Sequence, residues 1–94
     1  MTKKLGYCLL SFVDMPIGEM GEIAHEAEEL GYDRAYTTES LTDSLAIHMV
    51  MAMKTSRIIV GSFIAIIYHR HPHIVAQGAV AISEMSGGRY ILGL

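Results

Sequence analysis

The chain is short of cysteine, of charge and of basic runs, and each scarcity closes a class of function. Its one cysteine, Cys8, has no partner for an internal disulfide. That fits a reducing cytosol, and the place of Cys8 in an apolar stretch predicts a buried, inert thiol. Charged residues make up only 18% of the chain, the net charge is -3, and Lys and Arg form no run. A nucleic-acid partner is therefore not expected, because such proteins carry a clustered basic face. The densest apolar run, residues 58–67, is too short to span a membrane. Lys3 and Lys4 precede an apolar stretch, but Asp14, Pro16 and Gly18 interrupt it and no small-residue cleavage site follows, so no signal peptide is read. The glycines at Gly61, Gly87, Gly88 and Gly93 fit neither a P-loop nor a dinucleotide fingerprint. What the chain has in quantity is apolar residues, 51% of 94. That is high for a small domain, where surface is a large share of the molecule. The chain is expected to bury more than it can cover alone, which points to a partner or to further sequence.

The pattern along the chain is a repeated strand–helix grammar. Residues 5–13 read as a first strand, ended by Asp14, Met15 and Pro16. A first helix over residues 18–30 places Met20, Ile23, Ala24, Ala27 and Leu30 on one face and Glu19, Glu22, Glu26 and Glu29 on the other, a solvated face. Gly31 closes it. Residues 34–38 form a short second strand with Glu39 and Ser40 at its C-terminal end. Thr42 or Asp43 caps a second helix that runs to about Lys54 and is apolar nearly all round, so it should cover the sheet and also meet something else. The run 58–67 does not alternate, which predicts a third strand buried on both faces. After a polar turn at residues 68–71, Pro72 opens a third helix, with its fixed φ and missing N–H at no cost. Gly87 and Gly88 stop that helix after Ser86, and residues 89–94 open a fourth strand. The chain is one α/β unit of parallel (β/α) repeats, β-α-β-α-β-α-β. An open doubly wound sheet and a (β/α) barrel both fit this order, and in both, ligands bind at the C-terminal ends of the strands.

Several residues at those ends are candidates. Glu39 is a carboxylate at a strand end, either a surface acid near a helix or a residue at the mouth of a site. Its neighbour Ser40 has no general base beside it in sequence and is not read as a nucleophile. Arg70 follows the third strand and either carries an anion or pins its loop. His69, His71 and His73 could converge on a metal only in extended backbone, and Pro72 starts a helix there, so no metal site is expected. His25 and His48 read as ordinary helix residues, and Met49, Met51 and Met53 as packing or interface.

Taken together, AEELGYDRAYTTES (residues 27–40), KTSRIIVGS (54–62) and RHPHIVAQGAVAISEMSGGRYILGL (70–94) resemble the N-terminal half of the bacterial luciferase-like family of flavin- and deazaflavin-dependent monooxygenases and reductases. The most specific pieces are Thr55, Ser56, Arg57 and Ile58; Arg70, His71 and Pro72; and Ser86 to Arg89 leading to Leu92 and Gly93. The resemblance implies the N-terminal half of a TIM barrel, one partial domain over residues 1–94. It implies reduced FMN or the deazaflavin coenzyme F420 at the C-terminal mouth, a small organic substrate, and dimerisation through helices two and three. It also implies a cis non-proline peptide in a bulge near Ser62, Phe63 and Ile64, which would support the ring together with Arg70, while Glu39 and Ser40 line the mouth as candidate catalytic residues. The family often has an acid followed by His after strand two, whereas here the pair is Glu39 and Ser40. A complete barrel needs eight strands and about 250 residues. The expectation is thus the N-terminal portion of a luciferase-like oxidoreductase located in the cytoplasm. The alternative is a stand-alone half barrel that pairs with itself or another half and binds without catalysing.

Overall fold

The computed structural model describes residues 4–10, 15–39 and 42–94. Its elements are β1 (Gly6–Leu9), α1 (Ile17–Glu29), β2 (Arg34–Thr37), α2 (Ser44–Met53), β3 (Ile59–Ser62), a 3-10 turn (Ile67–His69), α3 (Pro72–Ser86) and β4 (Tyr90–Ile91). All four strands are parallel, in the order β1-β2-β3-β4. That order decides between the two architectures left open by the sequence. A doubly wound sheet reverses direction at a switch point, whereas a barrel adds each strand beside the last. Right-handed crossovers then put all three helices on one face.

The core lies between that face and the helices. Met20, Ala24 and Ala27 of α1, Ile47 and Met51 of α2, and Ala35, Ile58 and Val60 form it, with Tyr7, Leu9, Tyr32 and Tyr90 packed around them. The apolar circumference of α2 is accounted for by lateral neighbours as well as by the sheet. Val50 reaches Gly21 of α1, and Leu45 reaches Gly78 of α3, at glycines where a Cβ would crowd them. Met53, at 65% exposure, has no such cover. The four glutamates assigned to the outer face of α1 are all exposed.

The structure departs from the sequence reading at Cys8 and along the run 58–67. Cys8 is exposed, not buried. It lies in the row Cys8, Tyr36, Gly61 and Ile91, which the register places across the face opposite the helices. For the same reason the run 58–67 is not a long strand covered on both sides. Only residues 59–62 are strand, and after them Phe63 and Ile64 turn outward, 66% and 48% exposed. The apolar composition arises because both faces of this sheet are written in apolar residues while the described chain covers one. β1 and β4 are also shorter than the runs assigned to them, and residues 11–13, read as the end of strand one, lie with Asp14 outside the described residues.

The ends of α3 match expectation closely. His71 caps it, its Nδ1 accepting the His73 N–H at 3.1 Å, and Pro72 is the first helical residue. Gly87 takes φ +68°, and the N–H groups of Gly87 and Gly88 close on Glu84 and Ser83 carbonyls. Asp43, not Thr42, caps α2, accepting the Leu45 N–H at 2.9 Å.

At Gly61 an added Cβ would meet the Ile91 carbonyl at 2.5 Å and the Tyr36 ring at 2.9 Å, so β3 and β4 lie against each other only because the side chain is absent. Gly61→Ala is expected to cost about 3 kcal/mol in urea unfolding. Gly18→Ala, where nothing lies within 4 Å, should be neutral or stabilise by up to about 1 kcal/mol. Equal effects would contradict the packing described.

Candidate functional site

The C-terminal ends of β2 and β3 are held together by one carboxylate. Glu39, just past β2, is 7% exposed. Its Oε1 accepts from the Ile66 N–H at 2.9 Å and from Arg70 Nη1 at 3.0 Å. Its Oε2 accepts from the N–H and the hydroxyl of Ser44, each at 2.9 Å, and from Arg70 Nη2. Arg70 Nη2 also reaches Asp43 at 2.7 Å. The two readings of Arg70 therefore meet: its anions are Glu39 and Asp43, and through them it pins the loop before α3. Burial works against the charged form of Glu39, but the Arg70 guanidinium and the Ser44 and Ile66 donors outweigh it and hold its pKa at about 2. The Arg70 pKa rises for the reciprocal reason, chiefly its bond to Glu39.

Between β3 and the 3-10 turn the chain forms a bulge with a cis peptide at Phe63–Ile64. The Phe63 N–H donates to the Thr37 carbonyl and the Ala65 N–H to the Gly93 carbonyl, both at 2.8 Å. Ser62 faces inward, 2% exposed. Its hydroxyl donates to the Gly93 carbonyl and accepts the Gly93 N–H, both at 2.8 Å. It is thus a latch between β3 and the segment after β4. What the bulge presents outward is apolar: Phe63 and Ile64, with Ile67 and Tyr68 beyond them, 51% and 90% exposed. Next to it, Ile67, Pro72, Val75, Ala76, Leu92 and Leu94 line an apolar cavity of about 420 Å³. Ser40 lies outside the described residues.

Two polar features were missed in the sequence. His48 is fully buried, bridging the Thr37 hydroxyl at 2.8 Å through Nε2 and the Tyr90 hydroxyl at 2.7 Å through Nδ1. It is not an ordinary helix residue; a histidine in a helix with almost no polar face was the available signal. Burial lowers its pKa to about 4, so it is neutral at pH 7. Glu28 sits on the apolar face of α1, four residues after Ala24, and its carboxylate collects the N–H groups of Ser56, Arg57 and Ile58. Arg89 adds bonds to the Ile58 and Ala52 carbonyls. His25, by contrast, is an exposed helix residue beside Glu29 at 3.1 Å. Among the described residues no group of three or more His, Cys, Asp or Glu is placed to hold a metal ion, and no helix is long and apolar enough to cross a membrane.

These shifts fix the sign of the response to acid. Unfolded, His48 takes up a proton near pH 6.5, and folded, only near 4, so the unfolded state binds more protons in that window and stability falls as pH drops through it. Glu39 acts lower. Its stabilisation is complete above about pH 4.5 and is lost toward 2. Unfolding free energies from urea curves measured from pH 7.5 down to 4.5 should fall by up to about 3 kcal/mol in the chain, and His48→Gln should flatten that limb. A slope unchanged by His48→Gln would contradict the assignment.

Residues 3–94 match the luciferase-like monooxygenase family. The chain is 33% identical over 81 residues to a 5,10-methylenetetrahydromethanopterin reductase of Methanolobus tindarius, covering 84% of this chain and 25% of that protein. It is 31% identical over 83 residues to the reductase of the same name from Archaeoglobus fulgidus, covering 86% of this chain and 25% of that one. Among solved structures it resembles the coenzyme F420 dependent tetrahydromethanopterin reductase from Methanopyrus kandleri, with a TM-score of 0.85 and 27% identity, covering 95% of this chain and 26% of that one. The FMN-bound oxygenating constituent of 3,6-diketocamphane monooxygenase from Pseudomonas putida shares the fold, with a TM-score of 0.79 at 19% identity over 97% of this chain and 29% of that one. The chain spans about a quarter of the length of these relatives. Strand order, the bulge after β3 and the matched residues agree: the chain belongs to the luciferase-like monooxygenase family.

Proposed function

We propose that the chain forms the ring-supporting portion of a flavin- or deazaflavin-dependent oxidoreductase. The observation that carries this reading is the bulge at Phe63 and Ile64, which offers exposed apolar side chains on backbone anchored to Thr37 at the end of β2 and to Gly93 just after β4. Such a surface fits a planar, largely apolar ring system, and in barrels ligands bind at this end. When bound, the ring supplies the redox chemistry, and the protein orients it and excludes water. Phe63 and Ile64 give the shelf and Ser62 its support, with Arg70 fixing the loop behind it and Glu39 bordering the mouth. The identities of 33% and 31% to two reductases favour a reductase reaction on a small organic molecule, and the likeness to a coenzyme F420 dependent reductase, at 27% identity, favours the deazaflavin. FMN with a monooxygenase reaction is the second reading, supported by the shared fold of an FMN-bound relative. The partial length of the match supports further polypeptide around the shelf, while the shelf itself lies within this chain and binds the ring by its own contacts.

Fluorescence titration with coenzyme F420 and with FMN checks this. Saturable quenching by one of them, weakened about tenfold by Phe63→Asp, is the expected result; no binding of either ring sinks the reading. We further propose a homodimer through α2 and α3, supported by the exposure of Met53 on α2 and of Val80 and Met85 on α3. Replacing Met49 and Met53 together with Glu should halve the mass seen by sedimentation, and an unchanged mass would remove that interface.

A further inference from the structure

The bulge is held at three backbone donors. The Phe63 N–H is taken by the Thr37 carbonyl and the Ala65 N–H by the Gly93 carbonyl, main-chain acceptors that any sequence would supply. The third, the Ile66 N–H, is taken by a side chain, the buried carboxylate of Glu39. A buried ion pair is a poor device for stability alone, since apolar residues of similar volume often serve as well. What it gives is position. Five donors, from Ser44, Ile66 and Arg70, converge on the two oxygens of Glu39. They leave the carboxylate one orientation, which ties the start of α2 to the exit of the bulge. The same saturation leaves it poorly placed to exchange protons with a substrate.

We infer that Glu39 is a positioning residue: anchored by Arg70 and Ser44, its carboxylate holds the Ile66 N–H and so fixes the shelf of Phe63 and Ile64 against which the ring lies. This rests on the function proposed above and adds a residue that acts on the ring through the backbone.

The test uses a substitution that removes one hydrogen bond. Ile66 has φ -81°, within reach of proline, and its N–H bonds to Glu39. Ile66→Pro deletes that donor and puts its Cδ where the bonded hydrogen pointed, so the Glu39 carboxylate must withdraw from the bulge while Arg70 and Ser44 remain to hold it; Ile66→Ala trims the side chain and keeps the donor. Each variant is titrated with FMN and with coenzyme F420, reading affinity and the absorption spectrum of the bound ring, beside a urea unfolding curve. The expected result is wild-type affinity and spectrum for Ile66→Ala, and for Ile66→Pro at least a tenfold weaker affinity with a bound spectrum moved toward that of the free ring. Equal affinity and spectrum in the two variants overturn the inference and leave the proposed function standing. Failure of the unsubstituted chain to bind either ring overturns both. Should Ile66→Pro not fold, Glu39→Gln is read in the same titration: a bound spectrum moved toward the free ring supports the inference, and an unchanged one overturns it.

Discussion

Everything at the candidate mouth depends on keeping one buried negative charge. Glu39 lies where β2 ends, and the elements around it, α2, the bulge after β3 and the loop into α3, each donate to it. Removing a carboxylate from water is expensive unless every lone pair finds a donor and a countercharge stands close. Here both conditions are met, with five donors on the two oxygens and the Arg70 guanidinium against them. Glu28 performs the matching task at the other end of the sheet, where its carboxylate gathers three successive N–H groups at the entry to β3. β3 is thus fixed at entry and exit by two glutamates from outside it, and this strand leads into the bulge.

The second constraint is the one-sided sheet. Three helices cover one face, and the row Cys8, Tyr36, Gly61 and Ile91 runs across the other. In a barrel that face turns inward and is filled by side chains from alternate strands. The high apolar content and the exposure of Cys8, Phe63 and Ile91 have this common origin. Gly61 belongs to the same account, since β4 approaches β3 there more closely than any side chain allows.

The sequence made the framework legible because its signals are local. Pro72 and the pair Gly87, Gly88 bound α3 through their own backbone preferences, and the spacing of Met20, Ala24 and Ala27 defines a helix face without reference to anything distant. The cis peptide fell inside the region that the family resemblance implied. What was not legible is non-local. Cys8 looked buried because an apolar strand says nothing about whether its second face is covered. Glu39 could be placed at the mouth, but its five donors come from residues as many as 31 positions away. His48 and Glu28 were polar residues in apolar patterns, and such violations mark a buried hydrogen-bonding role whose partners only the fold supplies.

The central claim is that a flavin or deazaflavin ring lies against the bulge after β3. The most direct measurement is the change in backbone amide resonances of the isotopically labelled chain as coenzyme F420 or FMN is added. The largest shifts are expected at Phe63, Ile64, Ala65 and Ile66, with smaller ones at Cys8 and Ile91 on the open sheet face. Shifts gathered instead around Lys4, Asp33 and Arg57, at the opposite end of the strands, would contradict it.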